Sequence, residues 1–183
     1  MNVQTPRFLL IPATAELVVL ELNGPEALGR KLQAEVPTNW PPEQVREALP
    51  WFLGRLTADP SLSGWLGWYG LLSRADALPL LAASVGFFGP PEGGTVEVGY
   101  SVLPQFEGRG YATELVTALT AWALAQPDVL RVVAEADAEN AASRRVLEKC
   151  GFGAAGPGRE AGHLRFERGE GASVGRAGGR RTA

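Results

Sequence analysis

Residues 95–112 read TVEVGYSVLPQFEGRGYA, a strand pattern that runs through a glycine loop into a helix pattern. The first part, 95–103, is rich in β-branched and aromatic residues, and Pro104 forbids its continuation as a ladder. Beyond the loop, residues 111–126 place Ala112, Leu115, Val116, Leu119, Trp122 and Ala123 at gaps of three and four, the stripe of an amphipathic helix. A strand that enters a helix through Gly108 and Gly110 leaves the first-turn N–H groups unpaired and aimed outward. Nothing bulky blocks a phosphate there, and the helix dipole favours its charge. The loop reads as an anion cradle, with a pyrophosphate as its expected occupant.

Two familiar phosphate motifs fail. The dinucleotide fingerprint lacks its third glycine, and there is no Gly-Lys-Ser/Thr. What remains is Gln105-x-x-Gly108-x-Gly110, which alone could be an ordinary strand-to-helix turn. The next segment strengthens it. Residues 129–136 (VLRVVAEA) form an apolar run suited to a buried strand, and residues 140–152 (NAASRRVLEKCGF) follow. There Ala142, Val146, Leu147 and Cys150 share one face of a short helix that Gly151 can end in a left-handed cap.

The first pattern resembles the pyrophosphate loop of the GNAT N-acetyltransferases, which bind acetyl-coenzyme A. The second is similar to that family's later signature, in which an Asn and a small polar residue open a helix beside the cofactor and Gly-Phe closes it. The two stand in the family's order, separated by one strand. Val85-Gly86-Phe87-Phe88, Glu97-Val98-Gly99-Tyr100 and Gly110-Tyr111-Ala112-Thr113-Glu114 further resemble the branch that includes ribosomal-protein N-terminal acetyltransferases. The likeness is close over residues 80–152 and general before them.

Bulk properties agree with an ordinary globular protein: 45% hydrophobic and 20% charged residues in a 183-residue chain. We expect a single domain over residues 1–168 and a mobile Gly/Arg-rich tail over 169–183. No apolar run approaches the ~18 residues of a spanning helix, and the N-terminus lacks a signal-peptide layout, so the expectation is a cytoplasmic protein away from membranes. One cysteine, Cys150, and one histidine, His163, argue against a disulfide framework and against a metal. Net charge is −3, and the tail's Arg176, Arg180 and Arg181 leave the remainder more acidic still. That balance argues against nucleic acid as a partner and suits a cationic acceptor without deciding one.

In chain order, residues 7–12 read as a strand, and 14–32 as one or two short helices broken at Asn23-Gly24-Pro25. A proline-rich loop spans 36–42, and a helix runs from Glu43 to about Leu56. Strands follow at 64–72, 80–89 and 95–103; a last strand is expected at 164–167, and residues 153–162 carry almost no signal. This order predicts an α+β fold, and the resemblance implies the GNAT fold: a central mixed, mostly antiparallel sheet flanked by helices and splayed at the cofactor site.

Acetyl transfer to an amine needs a held thioester, a deprotonated amine, a stabilised oxyanion and a protonated leaving thiol. The resemblance implies that acetyl-coenzyme A is held by the loop residues Gln105, Phe106, Glu107, Gly108, Arg109, Gly110, Tyr111 and Ala112, and by Asn140 and Ser143. In relatives the strand before the loop bulges and splays, and its free backbone groups hold the pantetheine arm; here they fall on Tyr100, Ser101, Val102 and Leu103. Glu97 is the leading candidate base or amine-binding carboxylate, because Val96 and Val98 point to the opposite face; the alternative is a solvent-facing carboxylate. Glu135 and Asp137 are weaker candidates. Many relatives protonate the leaving thiol with a tyrosine seven residues after the Asn, but that position is Leu147 here. Ser143 matches the serine of the ribosomal-protein branch that approaches the sulfur, and it could equally be a capping residue. Cys150 reads as buried rather than nucleophilic, and His163 as packing.

Trp40 in the proline-rich loop is expected to line the acceptor pocket. The acceptor stays open between a protein N-terminal amine and a small amine such as an amino acid, polyamine or drug. A non-catalytic acyl-coenzyme A module is the third reading, and the resemblance leaves room for a homodimer.

Overall fold

The computed structural model describes residues 1–169. Its frame is an eight-stranded sheet of β1 (Val3–Gln4), β2 (Phe8–Pro12), β3 (Gly67–Leu72), β4 (Leu80–Phe87), β5 (Thr95–Val102), β6 (Arg131–Asp137), β7 (Gly153–Pro157) and β8 (His163–Gly169), in the order β1-β2-β3-β4-β5-β6-β8-β7. All neighbours are antiparallel except β5 and β6. With α1 (Ala15–Leu22), α2 (Pro25–Leu32), α3 (Glu43–Ala58), α4 (Tyr111–Leu124) and α5 (Ala141–Lys149), the fold is α+β, as the element order predicts.

Strand alternation divides the apolar residues between two faces. Phe8, Leu10, Trp68, Val85, Val96 and Val98 pack with Leu115, Val116 and Leu119 of α4. On the other face Tyr69, Leu71 and Leu81 pack with Leu17 of α1, Leu28 of α2 and Leu49 of α3. The helices therefore cover both faces of the sheet, which explains why the central strands read as nearly continuous apolar runs.

Some elements differ from expectation. The strand expected from residue 64 begins at Gly67, because a 3-10 turn (Pro60–Leu62) and the positive φ of Gly64 (97°) occupy the approach. Residues 153–157, which carry almost no pattern, form β7 by pairing with β8. All five are exposed, so no buried face marks them in sequence. Strand β8 continues to Gly169, opposite Arg131. The tail expected over 169–183 otherwise lies outside the described residues.

The parallel pairing of β5 with β6 positions the site. It covers only Thr95, Val96 and Glu97 of β5. Beyond Glu97, β5 stays with β4 while β6 continues with β8, so the sheet opens into a cleft. The register of β4 with β5 is unbroken from Phe87↔Val98 to Ala83↔Val102, so the expected bulge is absent and the splay alone frees the strand edge.

Candidate functional site

The free edge of β5 can be assigned from its ladder. Glu97 accepts from the Phe88 N–H (3.1 Å), and the Leu103 N–H donates to Ala82 (3.0 Å). An antiparallel ladder alternates, so the backbone groups of Val98, Tyr100 and Val102 point away from β4. The Glu97↔Val133 register with β6 uses the Val98 N–H, which leaves the Val98 C=O and both groups of Tyr100 and Val102 to the cleft. Those of Ser101 and Leu103 face β4, and the Leu103 side chain is buried (1%). Of the four residues expected to offer backbone groups, Tyr100 and Val102 present them to the cleft.

The glycine loop follows a 3-10 turn, Pro104–Phe106. That turn uses the Phe106 and Glu107 N–H groups, which donate to Leu103 and Pro104 at 2.8 and 3.2 Å. The Glu114 N–H is also paired, with Gly110 (3.2 Å). The N–H groups of residues 108–113 have no protein acceptor, so of the expected 106–112 the first two are spent on the turn and the rest are free. Gly108 (φ 72°) and Gly110 (φ 75°) adopt the left-handed conformation, and a β-carbon on Gly108 would meet nothing within 4 Å. The loop is open where an anion would approach.

Arg7, overlooked in the sequence, fastens this loop. Its Nη1 donates to the Arg109 carbonyl (3.0 Å), its Nε pairs with Glu114 (2.6 Å), and its guanidinium lies 4.5 Å from the Tyr111 ring centroid. Glu114 also accepts from Thr5 Oγ1 (2.6 Å) and the Arg7 N–H (2.8 Å). Burial raises the Glu114 pKa, but these hydrogen bonds outweigh it and hold the carboxyl below its ordinary value.

Two cavities meet at Tyr100 and Ser143. The larger, about 610 Å³, runs along the glycine loop past Gly108, Gly110 and Ala112 to Asn140 and Val146. Phe106, Glu107, Tyr111 and Val102 also line it, whereas Leu103, Gln105 and Arg109 do not. Gln105 instead exchanges side-chain hydrogen bonds with Asn39 (3.1 and 3.2 Å). Arg145 and Lys149, unmarked in the sequence reading, add cationic side chains one helical turn apart. Asn140 caps α5 by accepting from the Ser143 N–H (2.9 Å). Ala142, expected on the buried face of α5, is exposed, while Leu147 and Cys150 are buried.

Ser143 Oγ lies 2.8 Å from the Tyr100 hydroxyl. Leu147, fully buried, stands where many relatives carry a tyrosine on α5, and the phenol beside Ser143 comes from β5 instead. Burial raises the Tyr100 pKa, so its hydroxyl remains a proton donor. Burial likewise raises Cys150, whose thiol donates to the Thr113 carbonyl (3.4 Å); it is a packed thiol.

The smaller cavity, about 430 Å³, is walled by Val45, Ala48 and Phe52 of α3 and by Phe87 and Phe88, and ends at Glu97 and Glu135. Val96 and Val98 are buried on the opposite face of β5, as alternation requires. Both Glu97 oxygens accept from Arg159 Nη2 at 2.5 and 2.6 Å, and the Arg159 N–H donates to Glu135 (3.0 Å). Burial raises the Glu97 pKa; Arg159 partly offsets this and Glu135 reinforces it. Asp137 is spent on a turn, accepting from the Glu139 N–H (2.7 Å). His163 lines this cavity at the start of β8.

Trp40, expected to line the acceptor pocket, lines neither cavity. It is 5% exposed and donates its indole N–H to Glu21 (2.7 Å), which also accepts from the Tyr69 hydroxyl (2.7 Å). A buried carboxylate on α1 draws both aromatic donors into the core. Among the described residues there is no His/Cys/Asp/Glu group that could hold a metal ion, and no helix is long and apolar enough to cross a membrane.

Comparison with known proteins agrees with this geometry. Residues 7–153 match the acetyltransferase (GNAT) domain family. The uncharacterized N-acetyltransferase YjdG of Bacillus subtilis is 30% identical over 124 residues, which cover 67% of this chain and 72% of that protein. Among solved structures, the ribosomal-protein-S5-alanine acetyltransferase from Vibrio fischeri superposes with a TM-score of 0.65 at 17% identity, over 93% of this chain and 97% of that one. A ribosomal L7/L12 alpha-N-protein acetyltransferase in complex with coenzyme A superposes with a TM-score of 0.62 at 17% identity, over 94% and 100%. The cradle, the splayed strand and these matches place the chain in the GNAT acetyltransferase family: it is a GNAT-family N-acetyltransferase.

Proposed function

We propose that the protein moves the acetyl group of acetyl-coenzyme A directly to a primary amine, with a protein N-terminal amine as the acceptor. The observation that carries the reading is the junction of the two cavities at Tyr100 and Ser143, with an anion cradle on one side and Glu97 on the other. The free N–H groups of residues 108–113 would take the pyrophosphate, and the Tyr100 and Val102 edge the pantetheine arm. Acetyl-coenzyme A supplies an activated acyl group. The related structure with coenzyme A supports that choice of cosubstrate.

In this reading Glu97 receives the amine's proton, directly or through a water, as the C–N bond forms. The C–S bond then breaks, and the sulfur takes a proton from Ser143 as Ser143 takes one from Tyr100 through their 2.8 Å hydrogen bond; solvent returns a proton to Tyr100 once the products leave. A thiol pKa near 8.5 makes this second task small. An α-amine, with a pKa of about 7.7–8.0, also asks less of Glu97 than a lysine at about 10.4.

The direct test is thiol release from acetyl-coenzyme A across peptides with free N-termini, lysine side chains and small amines. Release dependent on a free N-terminus supports the proposal. Release with small amines alone overturns the protein acceptor, and release with none overturns catalysis.

A further inference from the structure

Glu135 is the buried group that this reading leaves without work. Its side chain is 10% exposed and lines the smaller cavity, yet its Oε1 accepts no hydrogen bond. The guanidinium nitrogens of Arg159 and Arg165 approach that oxygen only to 3.3 and 3.9 Å. A buried carboxylate oxygen without a hydrogen-bond donor is costly unless a ligand supplies one.

The cation between Glu97 and Glu135 reaches them from the solvent side. Arg159 sits in the turn joining β7 and β8 and is 65% exposed, while Glu97 is 15% exposed. The two carboxylates are nearly buried and need a cation, but the one they have is exposed and can be replaced from solvent by another that supplies the same hydrogen bonds. The turn does not depend on the guanidinium, because the Arg159 N–H holds Glu135 and the Gly158 N–H donates to His163. The other charged groups of this end are Arg165, 33% exposed beside Glu135, and Glu160, 82% exposed and 4.0 Å from His163. Exchanging the Arg159 guanidinium for one external ammonium leaves the charge of the cluster unchanged.

We propose that Arg159 stands in for the acceptor's ammonium, and that the acceptor enters by exchange with it, its charged head between Glu97 and Glu135 and an apolar body against Phe52, Phe87 and Phe88. The acceptor class is then an amphipathic primary ammonium. Glu135 and Arg159 determine its selection, while Glu97 remains the proton acceptor. This inference rests on the acetyltransferase reading of the cleft, but binding tests it without acyl transfer.

The test is calorimetric titration of the full-length protein with 2-phenylethylammonium and with neutral 2-phenylethanol. Arg159→Ala should bind the ammonium about threefold or more tightly than wild type, since it removes a competing ion pair. Arg159→Lys, which keeps a resident charge, should stay within about twofold of wild type. Glu135→Gln should weaken ammonium binding roughly tenfold, the scale of a lost charge-assisted hydrogen bond. The alcohol should not distinguish the variants. Weaker or unchanged ammonium binding by Arg159→Ala, no response to Glu135→Gln, or no binding by any variant overturns the proposal. Thiol release, measured separately, reports on acetyl transfer itself, so ammonium binding without turnover would count against the catalytic reading alone.

Discussion

Replacing Gly108 and Gly110 singly by Ala separates backbone strain from ligand approach at the cradle. Both residues have left-handed φ, 72° and 75°. A β-carbon on Gly108 meets nothing within 4 Å, and one on Gly110 meets Arg7 Nη2 at an ordinary 3.7 Å. The folded protein therefore bears only the conformational penalty, about 1–2 kcal/mol per substitution. In a chain of this size that lowers Tm by roughly 2–8 °C, at about 2–4 °C per kcal/mol. The ligand bears the rest. A methyl group over the free N–H groups of residues 108–113 holds a phosphate off, and each charge-assisted hydrogen bond lost is worth about 1.5–3 kcal/mol. Coenzyme A should then bind at least about tenfold more weakly, or about 1.4 kcal/mol. Gly93→Ala is the control, with φ 55° and equally open space in the turn before β5. Titration calorimetry with coenzyme A and thermal unfolding give both quantities for each variant. If the two loop variants bind within about twofold of Gly93→Ala, the loop is a strand-to-helix turn and not the pyrophosphate site.

Glu97→Gln should lower turnover by ~10²–10⁴-fold and abolish the acid limb of the pH–rate profile. Because burial raises the Glu97 pKa, that limb in wild type should lie above the ordinary carboxylate range, activity falling as pH drops through it; a profile unchanged in Glu97→Gln denies Glu97 the proton. Ser143→Ala should reduce turnover more than coenzyme A affinity, whereas Asn140→Ala should raise the coenzyme A Kd and cost about 1 kcal/mol of stability as a lost helix cap; equal effects of Ser143→Ala on kcat and Kd would make it a binding residue only. Glu21→Ala strands the Trp40 indole and Tyr69 hydroxyl donors and should destabilise the fold by about 2–5 kcal/mol in urea unfolding. Burial raises the Glu21 pKa against the hydrogen bonds from Tyr69 and Trp40, so the folded state binds a proton more readily than the unfolded state. Wild-type stability should fall as pH rises from the ordinary carboxylate range through the raised value, and Glu21→Gln should flatten that slope.

What the sequence made legible is what short stretches decide. The glycines before α4, the stripe of α4 and the cap of α5 are set by hydrogen bonds and spacings within a dozen or so residues, so their motifs can be read directly. The pairing of the loop's first N–H groups is less plain. Pro104 opens a 3-10 turn that uses the Phe106 and Glu107 N–H groups, and a proline at that position was the available signal. Strand β7 had none: Gly153–Pro157 is small and exposed throughout, and its pairing comes entirely from β8.

The long-range contacts were harder to read because they join distant segments. Arg159 meets Glu97 across 62 positions, Arg7 meets Glu114 across 107, and Trp40 meets Glu21 across 19. No periodicity encodes such pairs, and an arginine in a turn or a tryptophan in a proline-rich loop looks the same whichever way it points. Trp40 shows the consequence. Its aromatic character and its loop suggested a pocket wall, but a single buried carboxylate on α1 decides its orientation. The physical difference between the two sides of the cleft is instructive. Holding a phosphate uses backbone N–H groups, which glycines and helix starts announce; the smaller cavity is built of side chains converging from α3, β5, β6 and the β7–β8 turn, which only the folded chain brings together. A backbone anion cradle can therefore be inferred from a few residues in a row, while the meeting of Glu97, Glu135 and Arg159 is a property of tertiary structure.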